Sequence, residues 1–252
     1  MSKIALGVDI GGTGIKAALV DLATGEQVSD RVKLPTPQGG EPEDIADTVL
    51  ALIEQLGGID DDTPVGICFP AAVVHGTTMS AANVSKRWIG LEAEQFFEDR
   101  LGRDIHFVND ADAAGYAEIS SGAAKDVNGL VIVTTLGTGI GVALIHNGIL
   151  IPNCELGHLE IDGIDWETKA AVSAKEREDL NWKDWAERLQ KYYSRLEALM
   201  YPDLFVVGGG VSRSHEKFLP LLDLRTPIVP AVHRNEAGIL GAASLAAQFP
   251  AR

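Results

Sequence analysis

Ile4-Ala5-Leu6-Gly7-Val8-Asp9-Ile10-Gly11-Gly12-Thr13-Gly14-Ile15-Lys16-Ala17-Ala18-Leu19-Val20 is an apolar run, a glycine-rich polar tip and a second apolar run. It reads as a strand, a tight turn and a returning strand. The pattern comes back in the middle of the chain. Gly12-Thr13-Gly14-Ile15 recurs as Gly137-Thr138-Gly139-Ile140, and Ala17-Ala18-Leu19-Val20 resembles Val142-Ala143-Leu144-Ile145. One tetrapeptide match can arise by chance, but similar strands on both sides of it favour a duplicated unit. Two related α/β halves facing a cleft follow from this.

The rest of the chain fits such an arrangement. Residues 42–56 place Ile45, Val49, Leu52, Ile53 and Leu56 at helical spacing, with acidic residues first and Gly57-Gly58 as the stop. A short buried strand is expected at residues 65–69. Ile105-His106-Phe107-Val108 reads as another strand, running through Asn109-Asp110 into an Ala-rich helix at residues 111–119. Trp182, Trp185, Leu189, Tyr192, Leu196 and Leu199 mark an amphipathic helix ended by Pro202, and core packing accounts for its aromatics without a ligand.

Composition sets outer limits. The chain has 252 residues, 46% of them hydrophobic, enough for one large domain or two modest ones around a cleft. Its longest apolar runs are strand-length, and its N-terminus lacks a signal-peptide pattern, so a cytoplasmic protein without membrane insertion is expected. A formal charge of −15 opposes long-range attraction to nucleic acid or anionic membrane, so a polyanionic ligand needs a local basic patch. Two cysteines, Cys68 and Cys154, exclude a disulfide framework and read as buried thiols in apolar company.

The turns carry the chemistry. Glycine lets backbone N–H groups approach an anion closely, and threonine adds a hydroxyl donor, so Gly11-Gly12-Thr13-Gly14 and Gly137-Thr138-Gly139 are candidate grips on a phosphate chain. Either turn alone fits a plain hairpin. Neither is a P-loop, because Lys16 follows Ile15 and Ala17 stands where Ser or Thr is required. Gly208-Gly209-Gly210 follows the buried run Leu204-Phe205-Val206-Val207 and precedes a helix, a context open to a planar or phosphorylated ligand or to a simple turn. Asp110 reads either as a helix N-cap or as a cleft carboxylate. Glu155 and His158, with Glu167 shortly after, offer groups that bind sugar hydroxyls, although a lone histidine is more often structural. No second His or Cys stands at metal-ligand spacing.

Together these residues resemble the ROK family of sugar kinases and regulators, within the actin-like, ribonuclease H-like superfamily. Val8-Asp9-Ile10-Gly11-Gly12-Thr13 is similar to its first phosphate motif and Asn109-Asp110 to its catalytic motif. Leu136-Gly137-Thr138-Gly139-Ile140-Gly141 is similar to the second phosphate motif, Glu155-x-Gly157-His158 to the sugar motif and Val207-Gly208-Gly209-Gly210 to the adenosine motif. The resemblance implies a two-domain actin-like α/β fold with a cleft, formed by residues 1–108 plus about 237–252 and by residues 109–236. It further implies phosphoryl transfer to the 6-hydroxyl of glucose, and possibly mannose. Asp110 would be the catalytic base, and Asn83, Asn109, Asp110, Glu155, His158 and Glu167 would hold the sugar. Asp9, Gly11, Gly12, Thr13, Gly14, Lys16, Gly137, Thr138, Gly139, Gly208, Gly209 and Gly210 would line the donor site, with Mg²⁺ held through water near Asp9. A homodimer is implied as well.

Two departures narrow the resemblance. The family's Cys-rich zinc segment after the sugar motif is replaced by Glu160-Ile161-Asp162-Gly163 and a charged stretch, so no structural zinc is expected. Gly14-Ile15 precede Lys16, as in the polyphosphate-using glucokinases and glucomannokinases of the family, so the implied donor is inorganic polyphosphate, ATP or both. Lys16, Lys86, Arg87, Lys175, Arg177, Arg188 and Lys191 are the candidate cations for a polyanion. The alternatives are an ATP-only hexose or amino-sugar kinase, and a sugar-responsive regulator. The regulator is disfavoured because the first phosphate motif begins within ten residues of the start, leaving no room for a DNA-binding module.

Overall fold

The computed structural model describes residues 4–82 and 84–248. Two sheets are built to one plan. The first contains β1 (Ile4–Ile10), β2 (Ile15–Asp21), β3 (Glu26–Gln27), β4 (Val32–Leu34) and β5 (Val65–Phe69); beyond the small hairpin β6 (Val73–Val74) and β7 (Thr77–Thr78), β8 (His106–Asn109) completes it. The order is β3-β2-β1-β5-β8, with β4 also pairing β2. The second contains β9 (Leu130–Leu136), β10 (Ile140–His146) and β11 (Ile149–Ile151); past the hairpin β12 (Glu160–Ile161) and β13 (Ile164–Asp165) come β14 (Leu204–Gly208) and β15 (Ile228–Pro230). Its order is β11-β10-β9-β14-β15. In each sheet an antiparallel hairpin is flanked by an antiparallel strand on one side and two parallel strands on the other. The repeated tetrapeptide is therefore the visible trace of a repeated fold unit.

Parallel neighbours require crossover connections, which are helical here. Helix α1 (Pro42–Gln55) buries Ile45, Ala46, Val49 and Leu52, and α2 (Ala93–Leu101) buries Phe97. Their core closes on an aromatic cluster in which Phe69 and Trp88 lie 4.4 Å apart, with Phe97 and Phe107 at 5.4 Å. Helix α3 (Asp110–Ser120) leaves the first sheet. After the short α4 (Glu167–Ala170) and α5 (Val172–Arg177), α6 (Trp182–Met200) buries Trp185, Leu189, Tyr192, Tyr193 and Leu196 over the second sheet. Asn181 caps α6, and Tyr201 ends it in the left-handed region just before Pro202. Trp182 differs from the other aromatics of this helix because it lies at the rim of that core.

The connection that creates the cleft is reciprocal. Helix α3 follows the first sheet but packs on β9 and β10 of the second, whereas α7 (Ala237–Gln248) follows the second and packs on β1 and β5 of the first. The two helices cross each other. A Cβ on Gly241 would collide with the Ala113 carbonyl, and one on Gly66 with that of Ala242. Small residues at these positions allow backbone to meet backbone, which explains the Ala/Gly composition of both helices. The starts of α3 and α7 thus line one cavity with Asp9 and Lys16 of the first hairpin and Val133 and Thr135 of the second. The two cysteines form no disulfide. Cys68 is buried but its company is not purely apolar, since its Sγ lies 3.8 Å from Asp9 Oδ1.

Candidate active site

The β8–α3 junction decides how Asp110 is used. Asn109 is the N-cap: its Oδ1 accepts from the N–H groups of Ala111 at 2.8 Å and Asp112 at 3.1 Å, and its Nδ2 donates to the Ala71 carbonyl. Asp110 occupies the first helical position with its carboxylate released from capping, so the N-cap reading of Asp110 is corrected. The strand runs one residue further than expected, through Asn109.

Asp110 faces a cavity of about 200 Å³ shared with Asp9, Lys16, Thr135, Gly208 and Gly209. Burial first, and then the charges of Asp9, Asp112 and Glu155, push its pKa up to about 7, against the lowering effect of the Ala111 backbone bond. Beside it, Lys16 Nζ lies 2.8 Å from Asp9 Oδ2. The first turn closes by Gly11 N–H donating to Gly14 O and leaves Gly12 and Thr13 exposed. The second closes by Gly137 N–H donating to Gly139 O, and Ser173 on α5 donates to the Thr138 carbonyl. At the third, Gly209 has φ +81°, and a side chain there would strike the Leu136 carbonyl. Gly210 then begins a 3-10 helix, Gly210–Lys217, kinked at Ser214, where the sequence leads to the expectation of a regular helix. Two successive bonds anchor this bend at Gly209 O, from the Ser212 N–H and Oγ.

Glu155, His158 and Glu167, the other candidate sugar residues described, do not line this cavity, although the charge of Glu155 acts on Asp110. Glu155 is exposed ahead of the 3-10 turn Leu156–His158, and its charge acts on both Asp110 and His158. His158 Nδ1 lies 2.8 Å from Asp165 Oδ2 and 3.9 Å from Glu167 Oε1. The bond to Asp165 comes first among the causes that hold the His158 pKa above its ordinary value. Glu167 Oε2 in turn accepts from the Ile140 N–H at 2.7 Å, tying this cluster to the second phosphate turn. Asn83 lies outside the described residues.

Several residues were missed by sequence reasoning. Asp165 stands in the stretch that replaces the zinc segment, and only the β12–β13 hairpin brings it to His158. Asn153 spans the two halves: its side chain bonds both Val73 N and Val73 O, while Asp112 Oδ2 accepts its N–H at 2.8 Å. Its φ of +59°, a region where Asn is enriched among non-glycine residues, is the local signal. Arg234 and Asn235 also line the cavity, Arg234 with φ +49°.

Removing the Asn153 clasp should loosen the Glu155 segment against the first half. We expect Asn153→Ala to raise the KM for sugar several-fold with a smaller change in the KM for the donor, because two hydrogen bonds across the cleft are lost. Steady-state kinetics with each substrate varied in turn checks this.

Most cations offered for a polyanion are already engaged. Arg87 pairs with Glu41 and Glu43, Arg177 and Arg188 with Glu178, Lys191 with Asp162 and Lys16 with Asp9, while Lys86 donates to the Ala81 carbonyl. The shared helix face of Arg188 and Lys191 is thus neutralised by acidic neighbours.

Residues 5–175 match the ROK family. The chain belongs to the ROK family. The polyphosphate glucokinase of Mycobacterium tuberculosis is 47% identical over 238 residues, covering 94% of this chain and 89% of that protein. The crystal structure of the inorganic polyphosphate/ATP-glucomannokinase from Arthrobacter sp. strain KM superposes with a TM-score of 0.93 at 49% identity, covering 98% and 99% of the two chains. The ROK glucokinase of Streptomyces griseus, solved with glucose and AMPPNP, superposes with a TM-score of 0.82 at 26% identity over 98% and 100%. The architecture is the actin-like ATPase fold of these ROK sugar kinases.

Proposed function

We propose that this ROK protein transfers a phosphoryl group from inorganic polyphosphate or ATP to the 6-hydroxyl of glucose. The observation that carries the proposal is the released carboxylate of Asp110, set between the Asp9–Lys16 pair and the Glu155–His158 segment. Phosphoryl transfer asks a protein mainly for alignment, charge neutralisation and one proton acceptor. Asp110 takes the 6-hydroxyl proton, and a pKa of about 7 matches a base working near neutral pH. Glu155 and His158 orient the sugar. The glycine turns at Gly12-Thr13 and Gly137-Thr138 hold donor oxygens, and Lys16 turns from Asp9 to the phosphates.

The residues present fit Mg²⁺ only in a substrate-dependent form. Among the described residues no group of three or more His, Cys, Asp or Glu is placed to hold a metal. Asp9 and Asp110 face one cavity, and one or two carboxylates plus donor phosphates and waters are an ordinary Mg²⁺ environment. Asp9 would hold the ion through water, and the ion would neutralise charge on the donor oxygens.

We further propose that residues 1–108 with 237–252 and residues 109–236 form two units that close on the sugar and exclude water. Family likeness supports a homodimer in the cytoplasm. No helix among the described residues is long and apolar enough to cross a membrane.

The test is a coupled assay with purified protein, glucose and Mg²⁺, comparing ATP with polyphosphate of several chain lengths. Product with both donors is expected, and none after chelation of the metal. Full activity with ATP and silence with polyphosphate would reduce the assignment to an ATP-dependent hexose kinase.

A further inference from the structure

Lys175 is the one cation among the sequence's candidates that engages no carboxylate or carbonyl through its ammonium among the described residues. Its Nζ lies 4.6 Å from the centre of the Trp182 ring. Lys217 Nζ, equally without a carboxylate among the described residues, lies 5.4 Å from the same ring. Trp182 is fixed in place by Phe218, stacked at 6.0 Å with an interplanar angle of 11°, and by Trp185 at 5.9 Å. Two like charges are thus gathered over one rigid indole, in a chain whose 36 acidic residues outnumber its 21 basic ones.

The place of the pair explains what it serves. Lys175 sits on α5, whose Ser173 bonds the Gly137 and Thr138 carbonyls of the second phosphate turn. Lys217 ends the 3-10 helix that begins directly after Gly208-Gly209. Lys175 therefore stands on a segment bonded to one donor-side turn, and Lys217 on the segment that leaves another. The ring holds each ammonium through its π face, which leaves the charge open to an anion. A nucleotide triphosphate presents a short anionic run, whereas a polyphosphate chain continues beyond the reacting end.

We propose that Lys175 and Lys217, held over Trp182, form a secondary site for the distal part of an inorganic polyphosphate chain whose reacting end lies at the donor turns. This rests on the donor reading given above. The pair supplies a local positive field for a long anion on a strongly acidic protein, and such focusing acts mainly on productive encounter.

The experiment compares wild type, Lys175→Gln/Lys217→Gln and Lys175→Arg/Lys217→Arg by kcat/KM with long-chain polyphosphate and with ATP, at low and raised KCl. In the Gln variant the ratio of polyphosphate to ATP efficiency should fall about tenfold or more at low salt, and the salt dependence of the polyphosphate rate should flatten. The Arg variant should keep the wild-type ratio. An unchanged ratio in the Gln variant overturns the proposal, as does an equal loss with both donors or an Arg variant that falls as far as the Gln variant. A wild type silent with polyphosphate removes the donor reading and this site with it, a result distinct from an unchanged ratio in an enzyme that uses the chain.

Discussion

Asp110→Asn is expected to lower kcat by about two to four orders of magnitude while the KM for glucose stays close to wild type, the range for loss of a general base. The helix should survive, because Asn109 supplies the cap. The wild-type enzyme should show an acid limb in kcat/KM, with activity rising as pH passes through about 7, where Asp110 gives up its proton.

Stability should move the other way. The folded protein keeps the Asp110 proton up to about pH 7, whereas the unfolded chain releases it near the ordinary carboxylate value. Between those values the native state binds more protons, so stability falls as pH rises, and the loss is complete above about 7. Asp112 also titrates at about 7, for the same first cause of burial. Asn at position 110 carries no charge to desolvate. The variant should therefore unfold at a higher Tm than wild type at pH 8 and at a similar Tm near pH 4; about 2–4 °C per kcal/mol is the scale for a chain of this size. Calorimetry at the two pH values checks it. A variant with wild-type turnover removes Asp110 from the mechanism.

His158→Ala should act on binding instead. Once sugar covers the cleft, loss of the imidazole leaves a hydroxyl unpaired at about 1–3 kcal/mol, so the KM for glucose should rise roughly tenfold to a hundredfold. The donor KM should change far less, since His158 lies with Asp165 and Glu167 rather than in the Asp9–Lys16 cavity. Asp165→Asn separates orientation from contact. It keeps the side chain's shape but weakens the hydrogen bond, and removes the charge, that hold the His158 pKa up, so the pH dependence of glucose binding should shift to lower pH. Calorimetric titration with glucose across pH 5–8 measures both. Unchanged glucose binding in both variants places the sugar elsewhere.

The amino-acid sequence by itself determined the duplicated hairpin, the strands at residues 65–69 and 204–207, the helices α1, α3 and α6, and the order of motifs that marks the family. These features are local. A strand and its glycine turn, or an apolar stripe at helical spacing, are written in neighbouring residues. The identity of Asn109-Asp110 as a pair was also legible, but not which of them caps the helix, because Asn and Asp cap about equally well and the choice falls to backbone position at the end of β8.

Only the tertiary structure decided the pairings between segments distant in the chain. Asp165 reaches His158 because a two-strand hairpin folds back, and Asn153 clasps Val73 because α3 crosses to the second sheet. The fate of the cations was equally hidden. Arg188 and Lys191 share a helix face in the sequence, yet Glu178 and Asp162 arrive from other segments to neutralise them, while Lys175 and Lys217 meet over Trp182. Charge and hydrogen-bond partnership depend on distance in space, and residues far apart in a sequence acquire that distance only when the chain is packed.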